Sequence, residues 1–262
     1  MHFSNFWRPS FVFLFLCIFD KSFGEQEVDF NNTQVDSTNL KGAIELNNLQ
    51  NRNGSWFSPN SEKPFSGFVK QEYENTQVKY FIRFSLGKMD QISFWKENGI
   101  PVYSVEIIPG SMYPKSIPLK MEELDGNKFH GLARFWFPSG HAMLEARYSF
   151  GKRNGVMRAW YENGNQKVEE NYKDGLKDGN ARSWYENGKK WMNYTHWQDK
   201  RDGPLIWWYE NGQKRQEGNY KGGVRFGEWT YYKENGSLLY RKIFRDGEAI
   251  LTKYDDGSED KE

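Results

Sequence analysis

Trp160-Tyr161-Glu162-Asn163-Gly164 decides the fold of this sequence, because the same five residues return at 184–188 and 208–212. Aligned on this motif, the aromatic position recurs every 24 residues, at Trp136, Trp160, Trp184, Trp208 and Tyr232. Two glycine series keep the same interval, at Gly140, Gly164, Gly188, Gly212 and Gly236 and at Gly131, Gly155, Gly179, Gly203 and Gly227. A fixed period of this length is typical of tandem structural repeats. The chain is therefore predicted to be a repeat protein.

The composition favours β-structure. Aromatic residues make up 18% of the 262 residues, and 25 glycines supply turns. Aromatic residues are enriched in strands, and Asn-Gly between two aromatic-rich runs is a hairpin signal. We therefore predict an all-β protein, an elongated single-layer antiparallel sheet of tandem 24-residue β-hairpins. Seven copies are expected, the first of them degenerate at Glu74-Asn75-Thr76.

A type I′ turn at Asn163-Gly164 predicts the pairing within each hairpin, because both residue types tolerate positive φ. Trp160 then faces Lys167, and Arg158 faces Glu169. The same arithmetic places Trp184 opposite Trp191, Trp208 opposite Arg215, Trp136 opposite Met143, Tyr232 opposite Leu239, and Arg134 opposite Glu145. Alternation puts the repeated tryptophans on one face of the sheet. The other face, which carries residues such as Met157, Ala159, Tyr161, Val168, Tyr172, Leu205 and Trp229, is more apolar, and we expect it to be the better buried.

The chain divides into five segments. We predict a signal peptide at residues 1–24, a flexible linker at 25–41, a strand pair leading into the array at 42–62, the repeat array at 63–254, and a disordered acidic tail at 255–262. An insertion near 107–124 contains Pro109, Pro114 and Pro118, which exclude a regular central strand, so a protruding loop is expected there. This loop is interpreted either as a tolerated insertion or as a recognition loop.

The apolar run from Phe11 to Phe19 predicts export, and it is too short to span a bilayer. The mature protein is accordingly expected to be secreted or periplasmic, and not transmembrane after signal removal. Cys17, the only cysteine, lies inside this run. The chain carries 36 Lys plus Arg against 35 Asp plus Glu, so it lacks the basic excess that nucleic-acid binding requires. N-glycosylation acceptor sequences begin at Asn53, Asn193 and Asn235, among others, and they matter only in a host that glycosylates them.

The motif Trp-Tyr-Glu-Asn-Gly, the following Lys in Gln166-Lys167 and Gln213-Lys214, and the Lys-Asp-Gly returns resemble the MORN-repeat variant family. Its bacterial members are often described as YwqK-type antitoxins. The resemblance covers roughly residues 64–254. It implies a sheet that acts as a scaffold, a membrane-associated platform or a partner-binding surface. Thr76 in place of glycine, Asp199 within a glycine series and Pro138-Ser139 before Gly140 depart from the family pattern and alter turns.

No pattern of catalytic residues is present. His130, His141 and His196 stand apart without metal-binding spacing, and the glycine-rich returns lack a phosphate-binding motif. The repeated glutamates beside the turns lack the spacing of a calcium loop. We therefore predict a protein that is not an enzyme and has no cofactor and no metal site.

The tryptophan series is the strongest candidate for function. Its members either brace neighbouring hairpins or line a binding strip flanked by cations. The candidate binding face consists of Trp95, Trp136, Arg158, Trp160, Lys167, Trp184, Trp191, Trp208, Arg215 and Tyr232. The leading hypothesis is an exported interaction module that binds a protein partner or an envelope component. The alternatives are an antitoxin or immunity protein that masks a toxin, and binding of a glycan or lipid headgroup along the tryptophans.

Overall fold

The computed structural model describes residues 37–110, 124 and 126–260. All of them belong to one compact unit, Thr33–Glu262. The predicted signal peptide, residues 25–36 of the predicted linker and most of the predicted inserted loop lie outside the described residues.

Strands dominate the described part of the chain. A short helix α1, Ser37–Gly42, precedes them, and 3₁₀ turns lie at Leu46–Asn48 and Gly126–Lys128. The strands are β1 Ile44–Glu45, β2 Gln50–Arg52, β3 Ser55–Phe57, β4 Gly67–Glu72, β5 Val78–Ser85, β6 Lys88–Trp95, β7 Pro101–Ile107, β8 Phe129–Trp136, β9 Ala142–Ser149, β10 Lys152–Trp160, β11 Gln166–Lys173, β12 Leu176–Trp184, β13 Lys190–Trp197, β14 Lys200–Trp208, β15 Lys214–Lys221, β16 Val224–Tyr232, β17 Leu238–Arg245, β18 Glu248–Tyr254 and β19 Glu259–Asp260.

Seventeen of the described strands form one sheet. Strands β4 to β19 follow each other in chain order, each antiparallel to the next, and β1 pairs in parallel with β4. Strands β2 and β3 form a separate hairpin. The motif joins β4 to β5, β6 to β7, and so on to β16 and β17, which gives seven hairpins within the described residues. The predicted all-β sheet of tandem hairpins is confirmed.

The turn inside the motif differs from the prediction. Gly164 has a φ of 88°, but Asn163 is not among the residues with positive φ. The Tyr161 N–H donates to the Asn165 carbonyl at 2.8 Å, and the Gly164 N–H donates to the Tyr161 carbonyl at 3.0 Å. These bonds define a three-residue loop, a type I turn closed by a left-handed glycine, so the type I′ prediction was wrong.

The type I′ conformation occurs at the opposite edge of the sheet, where one hairpin is joined to the next. Between β11 and β12 the two turn residues, Asp174 and Gly175, have φ of 52° and 92°. Phe150-Gly151 and Asp246-Gly247 show the same pair of positive values. Asp174-Gly175 and Asp246-Gly247 are therefore two-residue hairpin turns of this fold.

A β-bulge beside each motif turn changes the predicted register. Trp160 pairs with Gln166 and Ala159 pairs with Val168, so Lys167 is an extra residue in β11. Trp191 and Arg215 are the equivalent extra residues in β13 and β15. The predicted pairs of Trp160, Trp184 and Trp208 with these residues were wrong, as were those of Trp136 with Met143 and Tyr232 with Leu239. Beyond the bulge the prediction holds, because Arg158 faces Glu169 and Arg134 faces Glu145.

The two faces of the sheet are buried to different extents. We call the face that carries Trp160, Trp184 and Trp208 the tryptophan face, and the opposite face the core face. Residues of the core face such as Leu205 and Trp229 are 2% and 0% exposed, which confirms that this face is the better buried. Along β4 to β8 the core is completed by Ile44, Leu46 and Trp56, which pack on it from the N-terminal segment.

Both ends of the described chain are more ordered than the sequence indicated. Residues 37–41, placed in the linker, belong to α1. Residues 255–262 were predicted to be a disordered tail, but β19 pairs with β18 through Thr252–Asp260 and Lys253–Glu259. The tail forms an eighth turn of the motif type, because the Tyr254 N–H donates to the Ser258 carbonyl. The sequence did not indicate this turn, because Asp255 and Asp256 replace the Glu-Asn of the motif.

Candidate functional site

In four of the seven described hairpins, the motif tyrosine links the hairpin to the next one. The Tyr161 hydroxyl donates to the Trp184 carbonyl at 2.9 Å, and Tyr185 donates in the same way to Trp208 at 2.7 Å. Tyr209 repeats the bond to Tyr232, and Tyr73 repeats it to Trp95. These hydroxyls satisfy backbone carbonyls at the end of the neighbouring strand. The tyrosine of the motif therefore holds the motif edge of the sheet in register.

The motif asparagine has two roles that do not require positive φ. Its side-chain oxygen accepts the backbone N–H two residues later, as Asn163 does from Asn165 at 2.9 Å. Its amide also donates to the next motif, from Asn163 to the Glu186 carbonyl at 3.0 Å and from Asn211 to the Glu234 carbonyl at 2.7 Å. Asparagine at this position thus shapes its own turn and ties it to the neighbouring one.

A row of alternating charges crosses the tryptophan face. The Arg134 Nε lies 2.8 Å from Glu145, and the Arg158 Nε lies 2.9 Å from Glu169. Longer contacts of 3.9 Å connect Arg158 back to Glu145 and Arg182 back to Glu169. Glu145 is almost buried, with 8% of its side chain exposed. In this row each glutamate lies between two arginines on neighbouring strands.

The row ends at Arg182 without a second carboxylate. Its cross-strand partner in β13 is Asn193, at the position that Glu145 and Glu169 hold opposite the earlier arginines. The side chain of Arg182 is 59% exposed, against 35% for Arg158. Beside it a groove of about 320 Å³ opens on β12, β13 and β14. Its walls are Arg182, Ser183, Trp184, Lys190, Met192, Asn193 and Trp208.

Lys190 adds a second cation to this groove. It pairs with Trp184 across the hairpin, and its Nζ lies 5.8 Å from the ring centre of Trp208 in the next strand. Within the part of the chain that the structure describes, the Lys190 amine forms no ion pair. Two cations and two tryptophan rings therefore meet in one half-open depression, which can hold an anion against an aromatic wall.

The structure divides the ten predicted residues into three groups. Trp95 and Trp136 are buried, at 9% and 4% exposure. Arg158, Trp160, Trp184, Trp208 and Tyr232 lie on the tryptophan face. Lys167, Trp191 and Arg215 are the bulge residues and lie on the other side of the sheet.

The contacts of the bulge residues establish their side. The guanidinium of Arg215 lies 4.2 Å from the ring centre of Trp207, the neighbour of Trp208 that points to the core face. It also lies 5.6 Å from the ring of Tyr209. Lys167 is 5.2 Å from the ring of Tyr161, and the Trp191 ring is 6.1 Å from that of Tyr185. A β-bulge re-aims the side chain of its extra residue in this way.

Five residues of the groove were not predicted, namely Arg182, Ser183, Lys190, Met192 and Asn193. A signal for Arg182 and Asn193 was present, because Arg134 and Glu145 recur 24 residues later as Arg158 and Glu169. The next step gives Arg182 and Asn193, where the glutamate is missing. Lys190 could not be predicted, because the bulge shifts the pairing by one position and places Lys190 opposite Trp184.

Among the residues that the structure describes, the core face carries one buried carboxylate, Glu170, which is 5% exposed. It accepts hydrogen bonds from the Lys177 amine at 2.6 Å, the Tyr172 hydroxyl at 2.7 Å and the Tyr194 hydroxyl at 3.2 Å. Burial raises the pKa of Glu170, but the hydrogen bonds and the charge of Lys177 outweigh it, and the pKa lies below 4.5. Burial and the bond to Glu170 raise the pKa of Tyr172 to about 12. This cluster satisfies its own charges and is structural.

No group of three or more His, Cys, Asp or Glu residues suited to a metal ion occurs within residues 37–110, 124 and 126–260. In the same residues no helix is both long enough and apolar enough to cross a bilayer.

The chain was compared with known proteins. No curated protein matches it. A chain in the crystal structure of accessory secretory protein 1,2 and 3 in Streptococcus pneumoniae is 10% identical, with a TM-score of 0.17; the match covers 56% of this chain and 23% of that chain. The model of the MORN repeat variant family matches residues 153–174, 177–196 and 201–221, which contain Trp160, Trp184, Trp208 and the groove. These three repeats of the chain match the MORN repeat variant family.

Proposed function

We propose that this protein is a non-enzymatic interaction module that binds a protein partner with its tryptophan face. The observation that carries the proposal is the groove between Trp184 and Trp208. Aromatic residues and arginine dominate the binding energy of protein interfaces, and here two half-buried tryptophans and the exposed Arg182 surround a depression in the sheet. The family match supports an interaction role in general terms, because MORN repeats mediate binding to proteins or membranes.

The partner in this proposal is a component of the cell envelope. The apolar run at residues 11–19 supports it, since an exported protein meets envelope or extracellular proteins. Mass spectrometry of the protein recovered from cells tests the export step. Loss of the first 24 residues supports an envelope partner, and retention of them in the cytosol favours instead the toxin partner that the family resemblance implies.

Matched tryptophan variants test the binding face. We expect Trp184→Ala combined with Trp208→Ala to lose the partner in an affinity capture from the native envelope, with a circular dichroism spectrum like that of the wild type. Trp191→Ala is the control, because it removes an indole from the same hairpin on the opposite side of the sheet. A partner that is lost equally from both variants, or retained by both, contradicts binding through the tryptophan face. Capture of a glycan or lipid in place of a protein also contradicts the proposal.

A further inference from the structure

The preceding repeats show which side chain lies beside the arginines that are equivalent to Arg182. At the two preceding arginines of the row, Arg134 and Arg158, the cross-strand partner is a glutamate whose carboxylate lies 2.8–2.9 Å away. At Arg182 the partner is Asn193, although the backbone pairing is the same. The repeats thus specify both the missing group, a carboxylate, and its position.

The carboxylate is not supplied by the neighbouring residues of the row. Glu169 contacts Arg182 only at 3.9 Å, because it is bonded to Arg158 at 2.9 Å. On the other side, Asn193 is followed by Ile206 and then by Glu217. Glu217 accepts bonds from the Lys214 amine at 2.7 Å and the Tyr232 hydroxyl at 2.6 Å. Arg182 and Lys190 therefore leave an excess of positive charge at the groove.

The walls indicate what the carboxylate is attached to. Trp184 and Trp208 line the groove beside the two cations. A free inorganic anion gains nothing from such walls, whereas a side chain within a peptide brings apolar neighbours that cover the rings. The volume of about 320 Å³ also exceeds what one carboxylate fills.

We propose that the groove receives a glutamate side chain of the partner protein, whose carboxylate takes the position beside Arg182 and Lys190 that Glu145 and Glu169 occupy in the earlier repeats. This inference rests on the proposed binding through the tryptophan face. It adds the chemical class of the residue that the partner inserts.

The test uses the full chain, produced in a bacterial host so that Asn193 carries no glycan. The probe is a short acetylated peptide with a central glutamate between two leucines, compared with the same peptide containing glutamine. Binding is followed by the NMR signals of the Arg182 Nε–H and of the Trp184 and Trp208 indoles. We expect saturable shifts with the glutamate peptide, weakened by added salt, and affinity about tenfold lower for the glutamine peptide. Equal binding of the two peptides, or binding of neither, overturns the proposal.

Two substitutions at one position provide the matched pair. Asn193→Glu supplies the missing carboxylate from within the chain, and we expect it to weaken glutamate-peptide binding about tenfold while raising Tm by about 1–3 °C. Asn193→Gln introduces a side chain of nearly the same size as glutamate but without its charge, and this variant should bind the peptide as the wild type does. Unchanged affinity in Asn193→Glu, or an equal loss in Asn193→Gln, contradicts a carboxylate site.

Inorganic phosphate separates the two sources of an anion. Shifts of the same signals with millimolar phosphate, without any response to the glutamate peptide, show a site for a free anion and overturn the proposal. The experiment is also independent of the proposed function. If the partner is lost from the Trp184→Ala, Trp208→Ala variant but is still captured by Asn193→Glu, binding through the tryptophan face is supported. In that case only the proposal that the partner inserts a glutamate is contradicted.

Discussion

At the scale of single residues, most side chains of the motif stabilise the turns, and one presents an aromatic ring on the face of the sheet. Tyrosine and asparagine donate to the backbone of the next motif, and glycine, or Thr76 in the first copy, takes the left-handed position of the turn. Tryptophan is the motif residue left to present a large ring at the surface. The tyrosine and the asparagine therefore recur because they use carbonyls of the neighbouring hairpin as acceptors. The groove combines the motif residues Trp184 and Trp208 with Lys190 and Asn193, which vary between copies.

Removal of one inter-repeat hydroxyl measures this coupling. Tyr185→Phe loses the 2.7 Å hydrogen bond to the Trp208 carbonyl, and it should lower the free energy of unfolding by about 0.5–1.5 kcal/mol. Tyr240→Phe is the control, because that half-buried hydroxyl has no hydrogen-bond partner among the described residues. Urea unfolding followed by circular dichroism gives both values. Equal losses in the two variants contradict a specific role for the motif tyrosine.

Glu170 predicts the pH dependence of stability. Its pKa in the folded protein lies below its ordinary value of 4.5, so its contribution is fully present above pH 4.5 and is lost as the pH falls through the lower folded value. We expect Glu170→Gln to be less stable than the wild type by about 1–3 kcal/mol at pH 7. The difference should shrink towards pH 3. Unfolding free energies measured at several pH values check it, and a difference that does not vary with pH contradicts the assignment.

At the scale of strands and hairpins, packing on the core face depends on size complementarity between neighbours. Trp229 is fully buried, and its ring lies on Gly218 of the preceding strand. A Cβ on Gly218 lies 2.3 Å from Cδ2 of this ring, although the backbone there is not in a left-handed conformation. The absence of a side chain at residue 218 therefore makes room for the indole.

Gly218→Ala should consequently destabilise the fold by about 1–3 kcal/mol. Gly126→Ala is the control, since its new Cβ meets nothing within 4 Å and its φ is not positive. In a double variant with Trp229→Leu, which shortens the ring that clashes, the alanine should cost nothing further. Thermal unfolding of the four proteins gives the coupling, and simple additivity contradicts the steric explanation.

The same scale shows where sequence reasoning succeeded and where it failed. The period of 24 and the alternation of side chains predicted the sheet, the seven hairpins and the buried face. The pairing near each motif turn could not be predicted, because Asn-Gly fits both a type I′ turn and the observed three-residue loop. The bulge then moves Lys167, Trp191 and Arg215 across the sheet. The groove depends on this shift, because Lys190 lies opposite Trp184 only when the bulge is present.

At the scale of the whole sheet, each hairpin contacts mainly its neighbours, so stability is approximately a sum of repeat and interface terms. Deletion of residues 190–213 removes one full interval and joins Lys189 to Lys214. Because every position then takes the place of its equivalent, Glu217 comes to lie opposite Arg182. We expect a folded protein with a denaturant m-value lower by roughly a tenth and no binding of the glutamate peptide.

Deletion of residues 190–201 is the informative comparison, because it removes half an interval and joins a motif edge to a return edge. That protein should not give a cooperative unfolding transition. Circular dichroism and urea titration distinguish the two deletions. Cooperative folding of the half-interval deletion would show that the 24-residue register does not govern assembly of the sheet.

The two-residue strands β1 and β19 determine how far the sheet extends. A linear sheet has no geometric end, and an open edge is a template for the next chain. Here β1 covers β4, and the acidic β19 covers β18 with Glu259 and Asp260. Without these short strands, the long outer edges β4 and β18 lie open to strand addition from other molecules. We therefore expect the terminal segments to hinder strand addition at the two residues that each of them pairs, and so to oppose end-to-end growth of the sheet.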